Sequence, residues 1–117
     1  MDNRVKKLLF DALSSGRSIQ QWCLGRSFEE YVQDRQFRRA VEREYEIIGE
    51  ALGRLSHADA AAAARISDLR RIVSFRHRII HGYDAIDDAA VWGVTESHLP
   101  RLVAEVETLL AEAGEMP

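Results

Sequence analysis

Residues 41–55 read VEREYEIIGEALGRL, and the pattern of apolar residues in them predicts the fold class. These apolar residues recur at steps of four, three, four and three positions, which is the spacing of one face of an α-helix. A stripe that continues over several turns predicts a helix that forms the seam of a helical bundle. The members of the stripe are Val41, Tyr45, Ile48, Leu52 and Leu55.

A helix start is predicted shortly before this stripe. Ser27 precedes Glu30 by three positions, the spacing of a capping box, in which a hydroxyl and a carboxylate bind the free amides of the first turn. We therefore expect a long helix to begin at Ser27. Apolar spacing from Arg4 onward also predicts a helix, but residues 14–16 (Ser-Ser-Gly) weaken it, so one broken helix or two short ones should form there.

The rest of the chain also favours helices, because it contains only two prolines and few β-branched runs. The alanine-rich residues 59–65 predict a short connecting helix. The next helix should open at Ser67 or Asp68 and stop at Gly82.

A last helical region is predicted over residues 89–113. Pro100 falls inside it, and a proline removes one helical hydrogen bond and clashes with the preceding turn, so a kink or a restart should occur there. These elements together predict an all-α helical bundle that forms a single domain over residues 1–117.

Charge is unevenly distributed along the chain. The 16 basic and 19 acidic residues exclude a protein that coats nucleic acid through bulk charge. Residues 1–83 hold fifteen basic and eleven acidic residues, whereas residues 84–117 hold Arg101 and eight acidic residues. Three roles are open to this acidic third: packing within the chain, repulsion of nonspecific nucleic acid, or binding of a basic partner.

The single cysteine, Cys23, excludes an internal disulfide and a zinc site built from cysteines, which favours a reducing compartment. Charges interrupt every apolar run well before the roughly 20 residues that a membrane span requires. We therefore expect a soluble protein of the cytoplasm.

Residues 76–83, RHRIIHGY, contain the main candidate catalytic side chains of the sequence. Arg76 follows Ile72 by four positions and therefore falls on the apolar face of its helix, where it needs an anionic partner. His77 and His81 are four apart, on one side of the helix, and Tyr83 lies just past its end. A histidine that moves protons and an arginine that stabilises a phosphorane suffice for RNA cleavage by the adjacent 2′-hydroxyl, without a metal. Taken alone, these residues also fit a structural role.

Other functions for these residues are less well supported by the pattern. His77 and His81 lack the glutamate and the third ligand that a zinc site needs, and Asp84, Asp87 and Asp88 fit a helix start better than a cation site. We therefore predict no metal. Several arginines near the motif either contact an RNA backbone or lie on a solvated helix face: Arg65, Arg70, Arg71 and Arg78. Phe75 and Trp92 fit a core or a dimer contact better than a base-stacking platform.

Arg76, His81 and Tyr83 together form the pattern Arg-x4-His-x-Tyr. This pattern resembles the signature of HepT-type ribonuclease toxins of the HEPN superfamily, small helical proteins that are paired with a minimal nucleotidyltransferase antitoxin. Residues 40–51 are similar to the long second helix of that family, and residues 91–92 and 99–100 to its C-terminal region. The likeness begins at about residue 28 and implies a bundle with two long antiparallel helices and several shorter ones.

The resemblance implies that Arg76 and His81 are the catalytic pair and that the motif helix faces its twin across a homodimer cleft. Tyr83 matches the tyrosine to which the antitoxin adds AMP from ATP, so that phosphates beside the site silence it. The chain itself would use no cofactor. Where relatives often carry asparagine after the arginine, this sequence has His77, which could share or alter the proton chemistry.

The resemblance thus implies the toxin of a type VII toxin–antitoxin system, a metal-independent endoribonuclease that acts on RNA. The alternative from a different class is a non-catalytic HEPN-type module that binds a nucleotide or a protein.

Overall fold

The computed structural model describes residues 1–81 and 87–115, with the backbone alone for residues 80 and 81. Helices account for 84% of the structure and no strand occurs in these ranges, so the predicted all-α class is confirmed. None of the helices described is both long and apolar enough to cross a membrane. In chain order they are α1 (Asn3–Cys23), α2 (Phe28–Gln33), α3 (Arg35–Ala58), α4 (Ala60–Ala64), α5 (Leu69–His81), α6 (Asp88–Ser97) and α7 (Leu99–Glu112).

Helix α1 is continuous, so the prediction of a break at residues 14–16 was wrong. Ser15 and Gly16 are buried, and a Cβ atom at Gly16 would lie 2.9 Å from Cγ2 of Val103. At Gly16, α7 therefore packs closely against α1. Packing of this kind outweighs the low helix propensity of serine and glycine.

The predicted capping box is confirmed, but the long helix begins later than predicted. Ser27 and Glu30 exchange both capping hydrogen bonds, yet the helix that they open ends at Gln33. Asp34 then leaves the helical conformation and its carboxylate accepts a hydrogen bond from Phe37 N at 3.0 Å. An aspartate that caps the next helix competes with continuation of the previous one, which explains the break.

The apolar stripe of α3 is confirmed as the seam of the bundle. All five of its members are fully buried, and each buried leucine or isoleucine contributes about 1.5–3 kcal/mol relative to an exposed one. Helix α1 packs along α3 in the opposite direction. Leu8, near the start of α1, shares a groove with His57, near the end of α3, so the two long helices are antiparallel as expected.

The shorter elements largely follow the prediction. The carboxylate of Asp59 accepts a hydrogen bond from Ala62 N at 3.0 Å and so caps the connecting helix α4. The last helical region restarts at α7, where Pro100 occupies the first turn, a position in which the missing amide costs nothing. Asp87 caps α6, as its place at a helix start predicted. The predicted stop at Gly82 lies outside the residues described.

An aromatic cluster joins α2 to α6. The ring of Tyr31 lies 5.1 Å from that of Phe37 and 5.3 Å from that of Trp92, and Phe28 lies 6.3 Å from Trp92, measured between centroids. Trp92 is therefore a packing residue, in line with the prediction. The cluster holds the start of α6 beside α2 and so fixes where the chain resumes after α5.

The acidic C-terminal third packs against the basic body of the chain. Its carboxylates form ion pairs and hydrogen bonds with residues of earlier elements: Glu105 with Ser67, Glu107 with Arg17 at 2.7 Å, Glu112 with Arg65 at 2.5 Å, and Glu115 with Lys6 at 3.0 Å. Of the three roles open to this region, packing within the chain is the one that the structure displays.

Candidate active site

Helix α5 carries the motif and is fixed against α3. Phe75 is buried, as predicted, and its ring meets that of Tyr45 edge to face, with 5.2 Å between the centroids. The Tyr45 hydroxyl is in turn 2.6 Å from Oγ1 of Thr95 on α6. Burial raises the pKa of Tyr45, which keeps this phenol neutral. These contacts tie α3, α5 and α6 together just below the motif.

A buried carboxylate anchors the start of α5. Asp68 is 5% exposed and accepts two hydrogen bonds from Arg101, at 3.0 and 3.1 Å, while Nδ1 of His98 lies 3.2 Å from its Oδ1. Burial alone would raise the pKa of Asp68, but the hydrogen bonds and charge of Arg101, with a smaller effect of His98, outweigh it and lower the pKa below its usual range. The ionised carboxylate thus links α5 to the junction of α6 and α7.

Arg76 lies in the middle of α5, half-buried against α3. Its Nε atom is buried and has no hydrogen-bond partner among the residues described. Its methylene groups lie against Gly49, where α3 has no side chain. The described residues thus provide no hydrogen-bond partner for Nε of Arg76, and the need of Arg76 for an anionic partner stays a prediction.

The other residues of the predicted motif follow Arg76 along the chain. His77 is the next residue of α5 and is exposed, and His81 is the last residue of the helix. His81 is five positions after Arg76, which corresponds to a rise of about 7.5 Å along the helix axis. The side chain of His81 and the whole of Tyr83 lie outside the part of the chain that is described.

The outer face of α5 is basic. Its exposed residues follow helical spacing, and no acidic residue occurs between Leu69 and His81. Arg71, a predicted RNA-backbone contact, is only loosely paired, with its Nε 4.0 Å from Oδ1 of Asp68. The exposed residues of this outer face are Arg70, Arg71, Ser74, His77 and Arg78.

The described residues contain no group of three histidine, cysteine or carboxylate side chains placed to hold a metal ion.

Sequence reasoning missed two parts of this region. Gly49 was not recognised as a contact of Arg76, although a glycine inside a helix costs about 1 kcal/mol relative to alanine and so signals a close approach. The pairing of Asp68 with Arg101 was also missed, because the two residues are 33 positions apart and no local pattern connects them.

Comparison with known proteins agrees with this picture. Residues 13–109 match the family model described as ribonuclease HepT-like. A Methanocaldococcus jannaschii protein named as a candidate RNase, MJ1380, is 30% identical over 103 residues, which cover 88% of this chain and 94% of that protein.

Two further relatives are also named as candidate RNases. MJ0125 of the same organism is 25% identical over 95% of both chains. TTE0752 of Caldanaerobacter subterraneus is 30% identical over 74% of this chain and 76% of its own length. No solved structure matches the chain. Because the family model spans most of the sequence, from α1 to α7, the chain belongs to the HepT-like ribonuclease family.

Proposed function

We propose that this chain is a metal-independent endoribonuclease and the toxin of a type VII toxin–antitoxin pair. Membership of the HepT-like ribonuclease family supports the activity, as do the names of its relatives. The observation that carries the proposal is Arg76, an arginine with a buried, unpartnered Nε that stands beside a basic helix face. An arginine whose Nε has no hydrogen-bond partner among the residues described is suited to bind an anion from outside, and an RNA phosphate is such an anion.

The proposed reaction needs only groups of the chain and of the RNA. The 2′-hydroxyl attacks the adjacent phosphorus and loses its proton as the bond to the 5′-oxygen breaks, which leaves a 2′,3′-cyclic phosphate and a 5′-hydroxyl end. His81 transfers protons in this step, because imidazole titrates near neutral pH. Arg76 stabilises the additional negative charge of the phosphorane through its guanidinium. His77 stands as an auxiliary residue for proton transfer.

The proposal includes a homodimer in which two copies of α5 line one cleft, so that each site holds two pairs of Arg76 and His81. A second histidine then supplies the acid that complements the first as base. Arg71 and Arg78 are exposed on the same helix and contact the RNA backbone on its way to the cleft.

Regulation is proposed at Tyr83, where a cognate nucleotidyltransferase adds AMP from ATP. The added phosphates compete with RNA for Arg76 and repel the RNA backbone. Mass spectrometry after incubation with ATP and that enzyme tests this step. Additions of AMP are expected on the wild-type chain and not on Tyr83→Phe, and additions to both would contradict the assignment.

The activity is tested with purified protein and single-stranded RNA in the presence of EDTA. We expect cleavage that leaves 2′,3′-cyclic phosphate ends and is abolished in His81→Ala. His57→Ala is the matched control, since His57 is an exposed histidine on α3 and lies outside the motif. Binding of RNA without cleavage by the wild-type chain would favour the non-catalytic module instead.

A further inference from the structure

Gly49 lies where Arg76 packs closely against α3. A Cβ atom built at Gly49 would clash with Cβ of Arg76, and would lie 2.8 Å from its Cδ and 3.0 Å from its Cγ. Real Cβ atoms essentially never come this close to another heavy atom. Any side chain at position 49 would therefore exclude Arg76 from the place that it now occupies.

A second glycine on the same helix offers a direct comparison. Gly53 lies one turn after Gly49, and a Cβ atom there would meet nothing within 4 Å. Both glycines lie inside α3 and weaken the helix to a similar extent. Of these two glycines of α3, Gly49 is the one at which a packed neighbour explains why no side chain is present.

The nearby acidic residues of α3 do not hold Arg76. Glu46 is paired with Arg43 at 3.1 Å, and Glu50 with Arg54 at 2.9 Å. Among the residues described, Nε of Arg76 has no hydrogen-bond partner. The contact that the structure shows for this side chain is the fit of its methylene groups on the bare backbone at Gly49.

We propose that Gly49 is a positioning residue of the active site, which lets Arg76 pack against α3 and thereby fixes its guanidinium relative to the end of α5. The importance of this position for catalysis rests on the function proposed above for Arg76. The proposal makes Gly49 part of the machinery of the site, although it contributes no functional group and does not touch the substrate.

The first test observes Arg76 directly and requires no activity. In ¹⁵N-labelled protein the Nε–H signal of Arg76 is identified by its disappearance in Arg76→Lys. Gly49→Ala should shift this signal and speed its exchange with water, because a displaced side chain exposes Nε. Gly53→Ala should leave it unchanged. An unaltered Arg76 signal in Gly49→Ala would overturn the proposal.

A second test covers the case in which Gly49→Ala folds poorly. Arg76→Gly removes the atoms that a Cβ at position 49 would strike, so Gly49→Ala should lower the melting temperature with Arg76 present and should not lower it in the Arg76→Gly background. Equal decreases in the two backgrounds would contradict a clash with Arg76.

The third test connects the position to catalysis. We expect Gly49→Ala to lower kcat for RNA cleavage by at least about tenfold at a temperature where the protein is folded. Ile48→Val destabilises the adjacent buried position of α3 and serves as the control, with kcat expected at the wild-type value. Equal decreases of kcat in both variants would reduce Gly49 to a structural role. If the wild-type chain cleaves no RNA, the proposed function fails, while the Arg76 signal still decides whether Gly49 positions Arg76.

Discussion

Two arginines of this molecule stand in opposite environments. Arg101 is largely exposed, yet its guanidinium makes two hydrogen bonds to the buried carboxylate of Asp68. Arg76 is half-buried, yet its Nε has no partner among the residues described. The more exposed Arg101 thus has hydrogen-bond partners within the chain, whereas Nε of the less exposed Arg76 has none among the residues described.

This difference separates arginines that hold the fold from one that is available for a ligand. Most of the basic side chains in residues 1–83 form ion pairs with carboxylates, as Arg17 and Arg65 do with glutamates of α7. A partly buried donor without a partner has a free-energy cost, which supports the proposal that another molecule completes the interaction of Arg76. The basic outer face of α5 supports an anion as that molecule.

The largest expected effect comes from removing each arginine in turn. Arg76→Ala should reduce RNA cleavage by about 100-fold or more, because the transition state is deprived of a donor. Its free energy of unfolding should stay within about 1 kcal/mol of wild type, since the missing methylene packing is offset by removal of an unpaired donor. Arg101→Ala should behave in the opposite way, with a lower urea midpoint and unchanged cleavage per folded molecule. Similar cleavage by both variants would contradict the assignment of a functional role to Arg76 and a structural role to Arg101.

A smaller effect is expected from Asp68→Asn, which weakens the pairing from the acidic side. At pH 7 we expect the free energy of unfolding to fall by about 1–3 kcal/mol, because Arg101 and His98 are then without a charged partner. The folded state lowers the pKa of Asp68, so its stabilising effect is complete above the pKa of the unfolded chain and is lost as the pH falls through the lower, folded value.

The difference in stability between wild type and Asp68→Asn should therefore shrink as the pH is lowered from about 5 to about 3. Urea unfolding at several pH values measures it. A difference that stays constant over this range would show that the charge of Asp68 is not what stabilises the start of α5.

The smallest effect is expected on the outer face of α5. The double variant Arg71→Ala, Arg78→Ala should bind single-stranded RNA more weakly, and its slope of log affinity against log salt should be shallower by about 0.7 for each phosphate that the variant no longer neutralises. Arg17→Ala is the matched control, because Arg17 is an exposed arginine already paired with Glu107. An identical slope in wild type and double variant would exclude these arginines from the RNA path.

Much of the fold was predictable because it depends on local periodicity. The stripe from Val41 to Leu55 and the restart at Pro100 required only the spacing of apolar residues and the chemistry of proline. The two errors have a tertiary or a competing local cause. Gly16 is accommodated by contact with Val103, and Asp34 caps a new helix where the pattern alone predicted continuation.

The candidate site was predictable only in part. The spacing of Arg76 and His81 is visible in the sequence, and the structure places both on α5. The environment of Arg76 was not predictable, because Gly49 lies 27 positions earlier and contacts it only when α3 and α5 pack together. The roles of His81 and Tyr83 stay predictions, since the side chain of His81 and all of Tyr83 lie outside the described residues.

In the proposed reaction Arg76 binds the RNA phosphate, and the Nε–H signal of Arg76 reports on that contact. The probe is a single-stranded RNA with 2′-O-methyl groups, which cannot be cleaved because it lacks the attacking hydroxyl. As this RNA is added, we expect the Arg76 signal to shift in proportion to binding. The Nε–H signal of Arg101 should not shift, because its Nε already donates a hydrogen bond to Asp68. Binding of this RNA without a shift of the Arg76 signal would contradict the proposal that Arg76 binds the RNA phosphate.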